Sequence, residues 1–342
     1  MGEQGKMSNN PLVSILIPVY NRETMVATAL RSAMAQTYPN IEIVVVDNCS
    51  TDRTFEVVQE YARQDQRIRC FRNDENLGPV RNWKKCLEYS RGEYVKILFS
   101  DDWLEPDAVE RLLIPLMEHP EAGFSYSSVQ IHYETTGQTV RAYEQGKSRL
   151  MDSAEFLRGQ LTGRPSVPVS PGCALFRRKD VEQGLEIDIP NRLGLACAQI
   201  GFGPDLLLFL RTCERYPKVY YEASVLSHFR GHEGSITISD RVKVGGLCYN
   251  IAFAWFLATS KLPVSQKRYL NALLFIRTIS LSGIMAAGCK NPLQVYSRMF
   301  PEQYNCWDMA PLSRDAAVML FCKARALLTK IWRRDNALPN LE

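Results

Sequence analysis

Tyr94-Val95-Lys96-Ile97-Leu98-Phe99-Ser100-Asp101-Asp102-Trp103 decides how the N-terminal half of this chain is read. Tyr94 to Phe99 reads as a short buried strand, and the acidic pair sits where that strand ends. In an open α/β sheet, ligands bind outside the carboxyl ends of the strands. Two adjacent carboxylates there call for a cation or a sugar hydroxyl. A hard cation held by one or two carboxylates and a substrate's phosphates is the usual arrangement for magnesium or manganese. The plainer reading is a polar strand-to-helix loop with Asp102 as a helix cap.

The flanking segments repeat the pattern. Residues 13–19 (VSILIPV) form a near-continuous apolar run, as expected of a strand covered on both faces. Asn21 follows as a candidate cap for a helix carrying Met25, Ala29, Ser32 and Ala33. Residues 41–46 (IEIVVV) are a second buried run that delivers Asp47 at its end. Phe55, Val58, Tyr61 and Ala62 lie at helical spacing, residues 68–71 read as a third strand, and Val80, Trp83 and Leu87 mark a third helix. Strands alternating with helices of this length predict a doubly wound, mainly parallel α/β sheet. Tyr20/Asn21, Asp47 and Asp101/Asp102 then lie along one edge of it.

Four ordered motifs carry a resemblance: Pro18-Val19-Tyr20-Asn21, residues 46–52 (VDNCSTD), Asn76-Leu77-Gly78 with Arg81-Asn82, and Ser100-Asp101-Asp102. Together they resemble family 2 glycosyltransferases over roughly residues 11 to 235, about two thirds of the chain. The resemblance implies a GT-A fold, a nucleotide-sugar donor and inversion at the anomeric carbon. It further implies that Asp47 bonds the nucleotide base, commonly uracil. Pro18, Tyr20 and Asn21 would line the base and ribose pocket, with Arg81 near the nucleotide. Asp101 would face the ribose or donor sugar, and Asp102 would ligate a divalent cation, Mn2+ or Mg2+, bridging the diphosphate. The residues alone also allow Asp47 to be a turn-forming Asx residue and Arg81 to lie on a solvated helix face.

Glycosyl transfer needs a base for the acceptor hydroxyl, and a carboxylate within hydrogen-bond reach is the usual one. Residues 171–178 (PGCALFRR) resemble the strand before the family's acceptor side. In residues 203–211 (GPDLLLFLR) Pro204 replaces the first member of the family's acidic pair. Asp205 is retained, so the resemblance makes it the base; an N-cap role at an apolar helix is the alternative. Residues 228–235 (HFRGHEGS) look like the family's closing segment. There His232 is a candidate metal ligand, suited to manganese, and Arg230 a candidate clamp on the leaving diphosphate. An exposed loop histidine is the alternative for His232.

A net charge of +4 over 342 residues implies no strong nucleic-acid field. Ten cysteines without a C-x-x-C pair argue against structural zinc and a disulfide framework, and for a reducing compartment. The polar tail of residues 1–10 shows no signal peptide, so a cytoplasmic location is expected. Residues 11–239 read as the GT-A domain, with a nucleotide-binding half (11–105) and an acceptor-side half (106–239). Within the latter, residues 133–149 and the Pro-rich 164–171 are candidate lids. Residues 240–342 read as a helical C-terminal region. Its segments 244–258 and 270–287 are apolar, but Asn250 and Arg277 argue for buried or interfacial helices over bilayer spans. Residues 318–334 combine an apolar stripe with five basic residues and no acid. That pattern fits contact with an anionic membrane surface or an ordinary packed helix.

The expected activity is transfer of a sugar from a nucleoside-diphosphate sugar, a UDP-sugar above all, to a saccharide or lipid-linked acceptor hydroxyl. Polysaccharide or glycoconjugate synthesis is the setting, with peripheral contact at the inner face of the membrane. A nucleotidyltransferase of similar core would want a Gly-rich, Arg-containing loop after the first strand, which residues 20–23 (YNRE) do not provide. A nucleotide-binding scaffold that has lost catalysis is the third reading, and Pro204 is its only hint.

Overall fold

The computed structural model describes residues 10–232, 235, 242–280 and 289–306. The expected 318–334 helix and Glu233 therefore lie outside the described residues. One sheet of ten strands organises the chain: β1 Val13–Val19, β2 Ile41–Asp47, β3 Ile68–Arg72, β4 Tyr94–Ile97, β5 Trp103–Leu104, β6 Ala122–Tyr133, β7 Thr139–Ala142, β8 Arg149–Asp152, β9 Ala174–Arg177 and β10 Lys218–Gly231. Their main order is β3-β2-β1-β4-β9-β6-β10-β5, with β7 beside β6 and β8 beside β10. The four N-terminal strands are parallel, with Val13 opposite Ile41 and Tyr94. β9 then runs antiparallel between β4 and β6, and β6 and β10 run parallel to each other.

The helices are α1 Val26–Met34, α2 Thr54–Gln64, α3 Pro79–Tyr89, α4 Ala108–Glu118, α5 Ser153–Thr162, α6 Arg178–Gly184, α7 Pro204–Arg215, α8 Val242–Thr259, α9 Val264–Ser280 and α10 Pro292–Met299. They cover both faces, which is why β1 is apolar apart from Ser14. Val13, Ile15, Ile17 and Val19 pack in a core with α1 and α4, whereas Leu16 joins Val80, Trp83 and Phe209 on the other side. Burying each such side chain contributes about 1.5–3 kcal/mol, so a one-residue slip in register would misplace every one of them. α3 opens on Gly78 at φ 78° with Pro79 at its first turn, where the missing amide has no helical partner to lose.

The doubly wound, mainly parallel sheet and the C-terminal helices agree with the sequence reading. Some local readings change. Residues 149–152 form β8, which pairs with β10 before α5 starts at Ser153. Residues 133–149 are not a free lid, because β7 pairs with β6 from Val129↔Ala142 to His132↔Thr139. No described helix is long and apolar enough to cross a membrane.

Candidate active site

The carboxyl ends of β1, β2 and β4 are joined by side chains. Asp47 is fully buried at the end of β2. Its carboxylate accepts from the Ser50 amide at 3.0 Å and from the Ser50 hydroxyl, and the Arg72 guanidinium lies 3.3 Å away. This is the Asx turn that its Asn-Cys-Ser context allowed. The Ser50 hydroxyl oxygen in turn accepts from the Asn21 amide at 2.9 Å. Asn21 is not the expected cap of α1. It adopts φ 50°, and its Oδ1 accepts from the Thr51 amide at 2.9 Å, so it fastens the β1 end to the β2 loop. The left-handed conformation, tolerated by Asn, turns its side chain that way.

Arg22 carries the chain of contacts onward, with Nε 3.7 Å from Asp101 Oδ2. The same oxygen lies 3.0 Å from His232 Nε2, and Asp102 Oδ1 accepts from the Arg230 amide at 2.9 Å. Asp101, Asp102, Arg230 and His232 thus form one cluster, although 128 residues separate Asp102 from Arg230. Burial raises the Asp101 carboxyl, but the His232 bond and the Arg22 charge outweigh it and leave the group below its ordinary value. Asp102 moves the other way: burial and the neighbouring Asp101 charge hold it well above the ordinary carboxylate range.

Tyr20 is exposed at the end of β1 and Pro18 is buried within it, opposite Val46. Arg81 is exposed at the start of α3 and faces a cleft of about 440 Å³ shared with residues 187–199. The Arg230 guanidinium donates to the Asp101 carbonyl at 3.0 Å and to Glu134 at 2.7 Å, and lies 5.4 Å over the Trp103 ring. To meet a diphosphate it would have to release Glu134. His232 is buried and bonded to Asp101, which excludes the exposed-loop alternative.

The fit to a divalent cation rests on free acceptors. One oxygen on each of Asp101 and Asp102 accepts no hydrogen bond among the described residues. No three described His, Cys, Asp or Glu converge as a protein-only metal site. Oxygens from one or two carboxylates, completed by phosphates and water, are what a magnesium-type ion takes.

Asp205 lies in the first turn of α7, behind Gly203 at φ 99° and Pro204. Pro204 fills a helix position that needs no amide partner, so replacing an acid there leaves the turn intact. Asp205 Oδ1 accepts from the Gly203 amide at 2.7 Å and the Leu206 amide at 2.8 Å. It therefore caps the helix as well as offering a carboxyl group. Oδ2 accepts from the Tyr249 hydroxyl at 3.0 Å. Burial pushes the carboxyl up to about 7, against the opposing effect of these bonds. A carboxyl group with that value is matched to proton abstraction at neutral pH.

Two residues at the site were not singled out from sequence. Tyr249 sits on α8 and reads there as part of an apolar run. Lys96 is fully buried in β4, and its ammonium donates to the Gly172 carbonyl and to the Ile97 carbonyl at 3.2 Å. It ties the strand that delivers Asp101 and Asp102 to the turn before β9. Burial lowers its ammonium to about 8, against the opposing effect of the neighbouring Cys173 and Asp102 side chains. A lone lysine inside the apolar run 94–99 was the available signal.

Acids gathered at the strand ends of a mixed, doubly covered sheet stand where open α/β folds place their ligands. The family described as Glycosyl transferase family 2 matches residues 14–185, half of the chain. The chain belongs to that family. EpsH of Bacillus subtilis (strain 168), assigned as a glycosyltransferase, is 38% identical over 131 residues, covering 38% of this chain and 37% of its own. Glycosyltransferase GlyA of Streptococcus pneumoniae serotype 4 is 39% identical over 107 residues, covering 31% of this chain and 15% of its own. The chain thus aligns to less than half the length of these curated relatives. Among solved structures, S. aureus TarS 1-349 superposes with TM-score 0.64 at 18% identity, covering 87% of this chain and 83% of that fragment. The same protein in complex with UDP-GlcNAc gives 0.59 at 18% identity, covering 79% and 73%. At that identity the likeness bears on the fold.

Proposed function

We propose that this protein transfers a sugar, with inversion, from a nucleoside-diphosphate sugar to a saccharide or lipid-linked acceptor hydroxyl, in polysaccharide or glycoconjugate synthesis. Family membership supports the reaction class. The observation that carries the reading is the pairing of Asp101/Asp102 at the strand edge with a separate buried carboxyl group, Asp205, whose affinity for protons suits a base. The UDP-GlcNAc complex of TarS supports a UDP-sugar as donor.

In this reading Pro18, Tyr20 and Asn21 shape the base and ribose pocket. Asp47 holds the β2 loop and offers its edge to the base, Arg81 approaches the nucleotide, and Asp101 faces the ribose or sugar. Asp102 is the ligand for Mn2+ or Mg2+, with His232 orienting Asp101 beside it. When bound, the cation offsets negative charge on the diphosphate. Arg230 turns from Glu134 toward the diphosphate. Asp205 takes the proton from the acceptor hydroxyl as it attacks the anomeric carbon. The protein would work in the cytoplasm, peripheral to the membrane, where residues 318–334 supply a basic contact.

A panel of nucleotide sugars assayed by thermal shift, with and without manganese, and then by donor turnover tests this. Binding to the folded state raises the midpoint in a predictable way. Stabilisation by one nucleotide sugar and release of its nucleoside diphosphate are expected. Nucleotide binding without turnover on any acceptor would favour the scaffold reading. Release of pyrophosphate from a nucleoside triphosphate would favour a nucleotidyltransferase.

A further inference from the structure

Residues 241–301 hold eight of the chain's 41 Lys and Arg and none of its 37 Asp and Glu. α9 lies in the middle of this acid-free stretch. Its inner stripe, Leu270, Asn271, Leu274, Phe275 and Thr278, is buried. Tyr269 and Ile276, seven residues apart, lie on one side of the helix away from that stripe, with the half-buried Ala272 and Leu273 between them and Leu273 packed against the core. Tyr269 is 51% and Ile276 55% exposed, with Val264 at the start of the helix 59% exposed. A helix apolar on both sides is normally buried on both, yet Tyr269 and Ile276 each keep about half of their surface exposed among the described residues.

Cations surround it. Lys261 and Arg268 are exposed and Lys267 half-buried, and none of the three forms an ion pair among the described residues. The acids across the adjoining groove are already neutralised: Asp152 by Lys218, Glu155 by Arg149 and Glu214 by Arg211. An apolar stripe with a tyrosine, rimmed by unpaired cations, is the make-up of a helix that lies in a membrane interface. We propose that the outward face of α9 docks on an anionic lipid bilayer.

Charge selects this occupant over the others. A second copy on the same face would set the acid-free stretch against itself across an isologous interface. Residues 318–334 carry five further cations and no acid, so charge makes them no complement to this face. The contact is separate from those residues. It bears on the proposed function only by favouring the lipid-linked class of acceptor, and it is measured without any substrate.

The full chain is sedimented with vesicles of phosphatidylcholine alone or mixed with phosphatidylglycerol. Two double variants, Tyr269→Ser with Ile276→Ser and Lys267→Glu with Arg268→Glu, are compared with Lys330→Glu with Arg334→Glu. Both α9 pairs are expected to weaken binding to the anionic vesicles at least about tenfold. Their melting temperature should stay near the parent's, since the altered side chains are on the surface. Parent-level binding by both α9 pairs would overturn the proposal, as would equal binding to phosphatidylcholine alone. Loss of binding confined to the 330/334 pair would also overturn it. So would a dimer in solution that the Tyr269/Ile276 pair dissolves.

Discussion

The Tyr249 hydroxyl donates to Asp205 Oδ2 at 3.0 Å, joining a helix of the C-terminal region to the first turn of α7. The bond lowers the proton affinity of a carboxyl group that burial raises. Tyr249→Phe removes the donor and keeps the ring. A hydrogen bond to a charged group is worth about 1.5–3 kcal/mol, so the alkaline-rising limb of the rate profile should move up by on the order of one pH unit. Turnover at neutral pH should fall severalfold while nucleoside diphosphate affinity holds. A profile that keeps its limb while the melting temperature drops would make Tyr249 only a packing residue.

Asp205→Asn keeps the acceptor oxygen for the Gly203 and Leu206 amides but cannot take a proton. Turnover should fall by at least ~10²-fold, the lower range for a lost general base. Calorimetry with the nucleoside diphosphate should give near-parent affinity. A near-normal rate would move the base elsewhere, with Glu233 the next candidate.

The same carboxyl group predicts how stability depends on pH. Folded Asp205 holds its proton up to about 7, whereas its ordinary value is 3.8. Between those values the folded protein binds more protons than the unfolded chain, so unfolding free energy falls as pH rises through this window. The ceiling on the loss is ~4 kcal/mol at 1.36 kcal/mol per pKa unit. Asp205→Asn should flatten that slope and melt higher than the parent at pH 8. Parallel curves of denaturant midpoint against pH for the two proteins would contradict a buried, proton-holding Asp205.

Asp102→Ala should abolish turnover and remove any strengthening of nucleotide binding by manganese. Titration of UDP with and without the cation, alongside initial rates, reads both. Full activity of the parent in excess chelator would rule out the cation role.

The N-terminal strands were readable because β1 and β2 are covered on both faces. Their apolar runs leave no choice of period, and each ends in a polar residue that the topology lines up. Asp205 was singled out through its motif despite the proline beside it. Tyr249 was not, because 44 residues separate it from Asp205 and its helix reads as uniformly apolar. Asn21 was misread because a capping side chain and a left-handed turn residue share one amino-acid type. Only the partner, Thr51 on the next loop, distinguishes them.

β9 has a consequence for how the molecule is made. Its residues 174–177 close the open side of β4, which is buried along its whole length. A ribosome must add about eighty residues after β4 before that partner exists. Until then the four parallel strands present a bare, sticky edge, the geometry that invites pairing with another chain. The nucleotide half cut out alone, residues 11–105, should therefore aggregate on expression. A fragment that runs past residue 177 should gain solubility from a strand of four residues.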